Sequence, residues 1–364
     1  MAGISAQEIE RPLPGYNPDS VPATPSDKDF ERFSFFDRLH GFSGFDYSNK
    51  DLSRLTEGFM NSQVFNNHTL WPAKEMLPEW FDPGRWIERG SNPGLGIRKM
   101  HNLNIKGKGM SVAIIDKPIN PSHKEFEGRL NYIEVFDTPK NRREHFHGIA
   151  CASILAGSSC GILPEADIWY FAVPDDGRNS LNYLAALEKL IAVNDTLATN
   201  ARIRAVSISD AIDFSIEEVA SKWPQLIKQA SDRGIAVICS DRASTHKYFT
   251  WGGSPPGKDP DNPESYTISP LIAADTAFYR GKILIPSDFR TTAANYSDTT
   301  FTYWGTGGFS WAIPWITGML TAGWSINPDL TVEEMYKIMV TTGSFTSGDL
   351  CTISPEAFIR EIKQ

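Results

Sequence analysis

Three side chains in this sequence combine a reactive group with a setting that could present it. Asp116 closes the apolar run Ser111-Val112-Ala113-Ile114-Ile115-Asp116, and the end of a strand is where a parallel sheet opens its ligand crevice. His147 leads into Gly148-Ile149-Ala150-Cys151-Ala152-Ser153-Ile154-Leu155-Ala156-Gly157, a small-residue apolar stretch. A titratable imidazole therefore begins a buried helix, where an acidic partner could fix its tautomer. Ser310 stands between Gly307-Gly308-Phe309 and the apolar Trp311-Ala312-Ile313-Pro314-Trp315-Ile316-Thr317-Gly318. Glycines at that point let a substrate backbone approach, and the free N–H groups of a helix N-terminus favour an oxyanion forming beside the hydroxyl. Taken singly, each has a local explanation, because turns begin at strand-end aspartates and serine is a common helix N-cap. An acid, a base and a hydroxyl in these settings together point to nucleophilic acyl transfer.

The elements that must position them are legible from about Asn92 onward, where apolar runs alternate with helix-period segments. That alternation predicts an α/β fold, a mostly parallel central sheet flanked by helices, with an N-terminal extension. Strands are expected over 110–115, 168–173, 205–208 and 235–239, each short, apolar and rich in Val, Ile or aromatic residues. Helices are expected over 148–156, 181–193 and 216–230, the last opened by a Ser215/Glu218 capping box and kinked at Pro224. The run 310–323 is apolar nearly all round and reads as a buried helix, and Thr331 with Glu334 caps a final amphipathic helix. Residues 1–90 read as an N-terminal arm or extension, a leader or a segment that packs on or covers the cleft of a catalytic-type domain over 91–364. Pro12, Pro14, Pro18, Pro22 and Pro25 prevent sustained regular structure at its start. Leu52, Leu55, Phe59, Val64 and Phe65 could pack a short element onto something larger.

Bulk properties exclude several classes. A formal net charge of −9 disfavours both a nucleic-acid backbone and an anionic membrane as partner. No run approaches the roughly 20 apolar residues of a membrane span. Charged residues interrupt the first thirty positions, so no secretory signal is read there and a cytoplasmic location is expected. Cys151, Cys160, Cys239 and Cys351 lack metal-type pairing and read as buried, reduced thiols.

With the three segments in Asp, His, Ser order, the chain resembles the subtilisin-like serine peptidases from about Asn92 to Thr342. The likeness extends to Gly107-Lys108-Gly109, Gly161-Ile162-Leu163-Pro164-Glu165-Ala166, Ala312-Ile313-Pro314 and Gly318. The resemblance implies an endopeptidase acting on a peptide or protein, in which Ser310 attacks the scissile carbonyl, His147 takes and returns its proton, and Asp116 orients the imidazolium. It implies that Ser207, Ser209 and Ala211 form the edge to which an extended substrate adds. No cofactor is required by such chemistry, and structural calcium and oligomeric state have no signature in the residues. Asp210 reads as a solvated charge rather than a selector of basic side chains.

Three departures from the family pattern stand out. Lys117-Pro118 follows Asp116 where the family has Thr-Gly, and Phe309 replaces the Thr before the serine. Ser240-Asp241-Arg242 stands where Gly-Asn is usual, so Ser240 is the candidate replacement for the missing oxyanion amide. Asp241 is expected to point away or to pair with Arg242, since an ionised carboxylate would oppose a developing oxyanion. Two competing readings follow: a subtilisin-like scaffold that binds peptides with weak or lost proteolysis, and a metal hydrolase using His145 and His147.

Overall fold

A strand buried on both faces must be apolar at successive positions, and 112–115 meets that condition between Ser111 and Asp116. The structure, a computed structural model, describes residues 21–31, 41–136, 144–241, 245–347 and 350–363. In chain order its principal elements are β1 (Val64–Asn66), α1 (Pro83–Gly90), β2 (Ser111–Asp116), β3 (Leu130–Glu134), α2 (Phe146–Ala156), β4 (Asp167–Ala172) and α3 (Asn179–Thr196). There follow β5 (Ile203–Ile208), α4 (Glu217–Asp232), β6 (Ala236–Cys239), β7 (Phe249–Gly253), β8 (Ile283–Pro286), β9 (Arg290–Ala293), β10 (Phe301–Trp304), α5 (Phe309–Trp324), α6 (Val332–Thr341) and α7 (Pro355–Ile362).

The central sheet has the order β3-β4-β2-β5-β6 and every pairing in it is parallel. Alternate residues of β2 therefore serve two cores: Val112 and Ile114 join the cluster containing α2 and α5, while Ala113 and Ile115 join the one containing α3 and α4. Asp116 lies at the carboxyl end of this central strand. α5 is buried over almost its whole length, as its composition requires.

A second sheet pairs β7 with β8 in parallel, extended by the short strands Thr267–Ile268 and Cys351–Thr352. The third is antiparallel, β1-β10-β9, and it ties the N-terminal region to the chain that leads into Ser310. Phe65 faces Tyr303 in that register. Around them Phe42, Tyr47, Leu52, Leu55, Phe81 and Trp86 form a third core, mostly aromatic.

The helix near 216–230 starts without the expected capping box. Ile216 occupies the N-cap position, Ser215 turns back to Asp213, and the Glu218 carboxylate accepts from Lys222 one turn on. α4 runs on through Pro224. At α6 the Thr331/Glu334 box forms as read. The four cysteines are free and buried.

Candidate active site

Asp116 is 1% exposed, and both its oxygens face His147 Nδ1, at 3.0 and 2.9 Å. Its Oδ1 also accepts the Lys117 N–H at 2.7 Å. Burial alone would push the carboxyl up. The His147 charge and hydrogen bond, the Lys117 ammonium and the Lys117 N–H more than offset it and hold the group below its ordinary value.

His147 comes to this position because α2 packs against the end of β2. Its N-terminus is fixed by His145, whose ring nitrogen accepts the His147 N–H at 3.3 Å. Gly148 permits the approach: a Cβ there would stand 2.6 Å from the Lys117 carbonyl and closer still to the Tyr170 hydroxyl. Burial disfavours the imidazolium, yet the facing Asp116 carboxylate overrides it and raises His147 well above the usual histidine value. The side chain remains 20% exposed.

Ser310 is the second residue of α5, after the N-cap Gly308, which holds φ 76 and ψ 174. Such a backbone conformation is essentially restricted to glycine. The turn is clamped from below, since Ser287 Oγ donates to the Gly308 carbonyl and the Gly307 N–H donates to Asp288 Oδ1 at 2.8 Å. Asp288 is 2% exposed and burial pushes its carboxyl up. The Ser310 hydroxyl donates to the Ser209 carbonyl at 3.1 Å. Among the described residues it makes no hydrogen bond to His147. The two segments nonetheless meet, because the Cys151 thiol stands 3.9 Å from His147 Nδ1 and 3.7 Å from the Ser310 carbonyl. Burial pushes that thiol up, so it stays protonated.

The expected substrate residues separate. Ser207 lies inside the sheet, paired with Ile114 of β2 on one side and Ile238 of β6 on the other. It has no free main-chain edge and cannot receive a strand, which corrects the expectation drawn for it. Ser209, just beyond β5, is the residue whose carbonyl reaches Ser310. Ala211 is exposed, and its N–H donates to Asp210 Oδ1 at 2.8 Å. Ser240 Oγ lies 3.2 Å from His246 Nε2, and His246 stacks on Phe309 with ring centroids 3.7 Å apart. The hydroxyl proposed for the oxyanion thus already has an imidazole neighbour. The N–H of Asp241 lies 3.4 Å from Thr245 Oγ1, and Arg242, its expected partner, lies outside the described residues.

His145 and His147 do not share a ligand cluster among the described residues. The group whose donor atoms lie within 4.8 Å of one another is Asp116, His147 and Cys151. There the imidazole Nδ1 already faces both oxygens of the Asp116 carboxylate. Sequence reading missed the contacts of Cys151, Asp288 and the Lys117 side chain. Only Lys117 carried a signal, as a departure from the family pattern.

A model of the Subtilase family matches residues 107–241, a span that contains Asp116, His147 and the segment after β5 and ends before Ser310. A cuticle-degrading protease of Metarhizium anisopliae is 29% identical over 119 residues, which is 32% of this chain and 30% of that protein. Alkaline serine protease ver112 of Corniculantispora psalliotae is 30% identical over 175 residues, 46% of this chain and 43% of that one. The chain therefore spans under half the length of these relatives. The A-subunit of the AB5 toxin from E. coli superposes with a TM-score of 0.54 over 75% of this chain and 98% of its own, at 15% identity, a likeness of fold. The parallel sheet flanked by helices is a subtilisin-like α/β fold, and residues 107–241 carry the sequence likeness to the Subtilase family. No described helix is long and apolar enough to cross a membrane.

Proposed function

We propose that this protein is a serine endopeptidase in which Ser310 is the nucleophile, His147 the general base and Asp116 the orienting acid. The observation that carries the reading is the two-oxygen contact of a buried carboxylate with His147 Nδ1. It fixes the tautomer that leaves Nε2 free to take a proton. In this reading the Ser310 hydroxyl turns from the Ser209 carbonyl to give its proton to the imidazole. Attack on the scissile carbonyl forms a tetrahedral oxyanion. The Ser310 N–H, at the start of a 16-residue helix, is the main-chain donor available to it. Collapse gives the acyl-enzyme and the amine, protonated by His147, and water then completes hydrolysis by the reverse proton path. Similarity to proteins named as proteases supports the same class of reaction. The substrate is a peptide or protein in extended form, lying along the main chain at Ser209–Ala211.

The test is labelling by a fluorophosphonate together with cleavage of a mixed peptide library, each compared with Ser310→Ala. Both activities should be lost in the variant, cleavage by at least about 10⁴-fold. A wild-type protein that neither labels nor cleaves would leave a peptide-binding scaffold as the reading of this fold.

A further inference from the structure

We infer that Lys117, acting through Tyr183 and Asp210, is a positioning residue that ties the peptide-receiving segment after β5 to the Asp116 end of the crevice. This rests on the peptidase reading above. An ammonium is rarely buried unless it is paired, and Lys117 is only 6% exposed. Its Nζ donates to the Tyr183 hydroxyl at 2.7 Å and stands 3.7 Å from Asp210 Oδ2. The Tyr183 hydroxyl donates to that same oxygen at 3.0 Å, and Asn179 Nδ2 reaches it at 3.2 Å. Three elements meet here: the end of β2, the first turns of α3 and the chain just past β5.

Main chain and side chain of Lys117 do different work. The N–H holds Asp116 Oδ1, and the carbonyl accepts the Tyr170 hydroxyl, so the backbone is fixed beside the acid. The side chain reaches across to Asp210, whose own carbonyl accepts the Ser240 N–H at 3.2 Å and whose predecessor, Ser209, accepts from Ser310. One residue therefore sets the distance between the catalytic carboxylate and the segment that meets both nucleophile and substrate. Asp210 is committed to this bridge, although its side chain is 36% exposed, rather than simply solvated. A Thr-Gly pair, as the family has at this point, has neither the reach nor the charge.

The bridge is electrostatic as well as mechanical, and a packing role alone would not reproduce its signature. Among the described residues the ionisable groups around Lys117 and the Asp116–His147 pair include Asp116 on β2, His145, His147 and Cys151 on or beside α2, Tyr170 on β4, Tyr183 on α3 and Asp210 beyond β5. Taking away the cation favours protonation of the Asp116–His147 pair, whereas taking away the Asp210 anion disfavours it. Two variants of the same contact must then move in opposite directions.

The decisive experiment measures kcat/KM against pH for an extended peptide in wild type, Lys117→Met and Asp210→Asn. It also measures the His147 imidazole titration by NMR in Ser310→Ala versions of all three, which needs no turnover. Lys117→Met should move the acid limb and the NMR titration up by about half to one pH unit, and Asp210→Asn should move both down. Each should raise KM for the extended peptide about threefold to tenfold, with a smaller effect on a short ester. Asp210→Asn keeps shape and a hydrogen-bond acceptor at a partly exposed site, so it is informative if Lys117→Met fails to fold. Shifts in the same direction, or no shift with unchanged KM, would overturn the inference. Absence of Ser310-dependent turnover in wild type would reject the peptidase reading instead, and the NMR titrations would still decide the role of Lys117.

Discussion

Replacing Phe65 by alanine asks whether the region before residue 91 is an appendage or part of the machinery that holds Ser310. Phe65 is fully buried. Its ring stacks on Tyr303 at 4.9 Å and meets Trp71, Phe81 and Trp86 at 5.4, 5.7 and 6.3 Å. Truncating such a phenylalanine removes the transfer free energy of the ring and leaves a cavity, a loss of about 4 kcal/mol, and the Tyr303 stack places it toward the upper part of the usual range. Against a total stability of roughly 5–15 kcal/mol, that is a large fraction. The loss should also be felt at the turn that carries Ser310. β1 is hydrogen-bonded along β10, and the Gly305 N–H, between β10 and Ser310, donates to the Gln63 carbonyl at 2.9 Å. Urea unfolding followed by tryptophan fluorescence gives the stability change, and fluorophosphonate labelling rate at low denaturant reports the turn. If Phe65→Ala costs less than about 1 kcal/mol, well below the core range, or labels at the wild-type rate, the coupling of this segment to Ser310 is refuted.

Asp116→Asn removes the charge that raises His147 while leaving the ring buried. The imidazole titration should then fall below its wild-type value by NMR, the acid limb of any residual activity should move to lower pH, and kcat should drop on the order of 10⁴-fold. In the wild type the sign is the reverse. Activity should rise as the pH climbs through the elevated His147 value, and the stability contributed by protonated His147 is full below the ordinary histidine range and lost above that elevated value. Gly148→Ala should push α2 away from the Lys117 carbonyl and lengthen the Asp116–His147 contact. A displacement near 1 Å predicts a loss on the order of 10²-fold in kcat with secondary structure unchanged by circular dichroism, and an unaffected kcat would contradict the packing argument.

The inner strands β2, β4 and β5 were readable because burial on both faces demands mostly apolar residues, and β6, expected as a central strand but found at an edge, was readable because Ala236-Val237-Ile238-Cys239 is apolar throughout. β3 was not, since Leu130-Asn131-Tyr132-Ile133-Glu134 is an edge strand of mixed polarity that earns its place only by pairing with β4. Capping boxes divided in the same way. Thr331 and Glu334 close on each other, whereas Glu218 has Lys222 within reach and Ser215 has Asp213, so a matching motif went unused. Ser207 shows the limit of carrying a binding edge over from a resemblance, because membership of an edge depends on which strand lies alongside, and β6 lies alongside this one.

Residue type and immediate neighbours determined, without any coordinates, that Asp116, His147 and Ser310 sit where chain elements begin or end and that their elements are buried. Those are local properties, written in hydrophobic periodicity and in glycine placement. Which groups touch across the fold was decided only by tertiary packing: the carboxylate against Nδ1, the Cys151 thiol between His147 and the Ser310 carbonyl, the β1 strand sealing β10, and the Lys117 ammonium lodged against Tyr183 and Asp210. Such contacts join residues far apart in the chain, and a long flexible side chain such as lysine carries no local mark of the partner that will bury it.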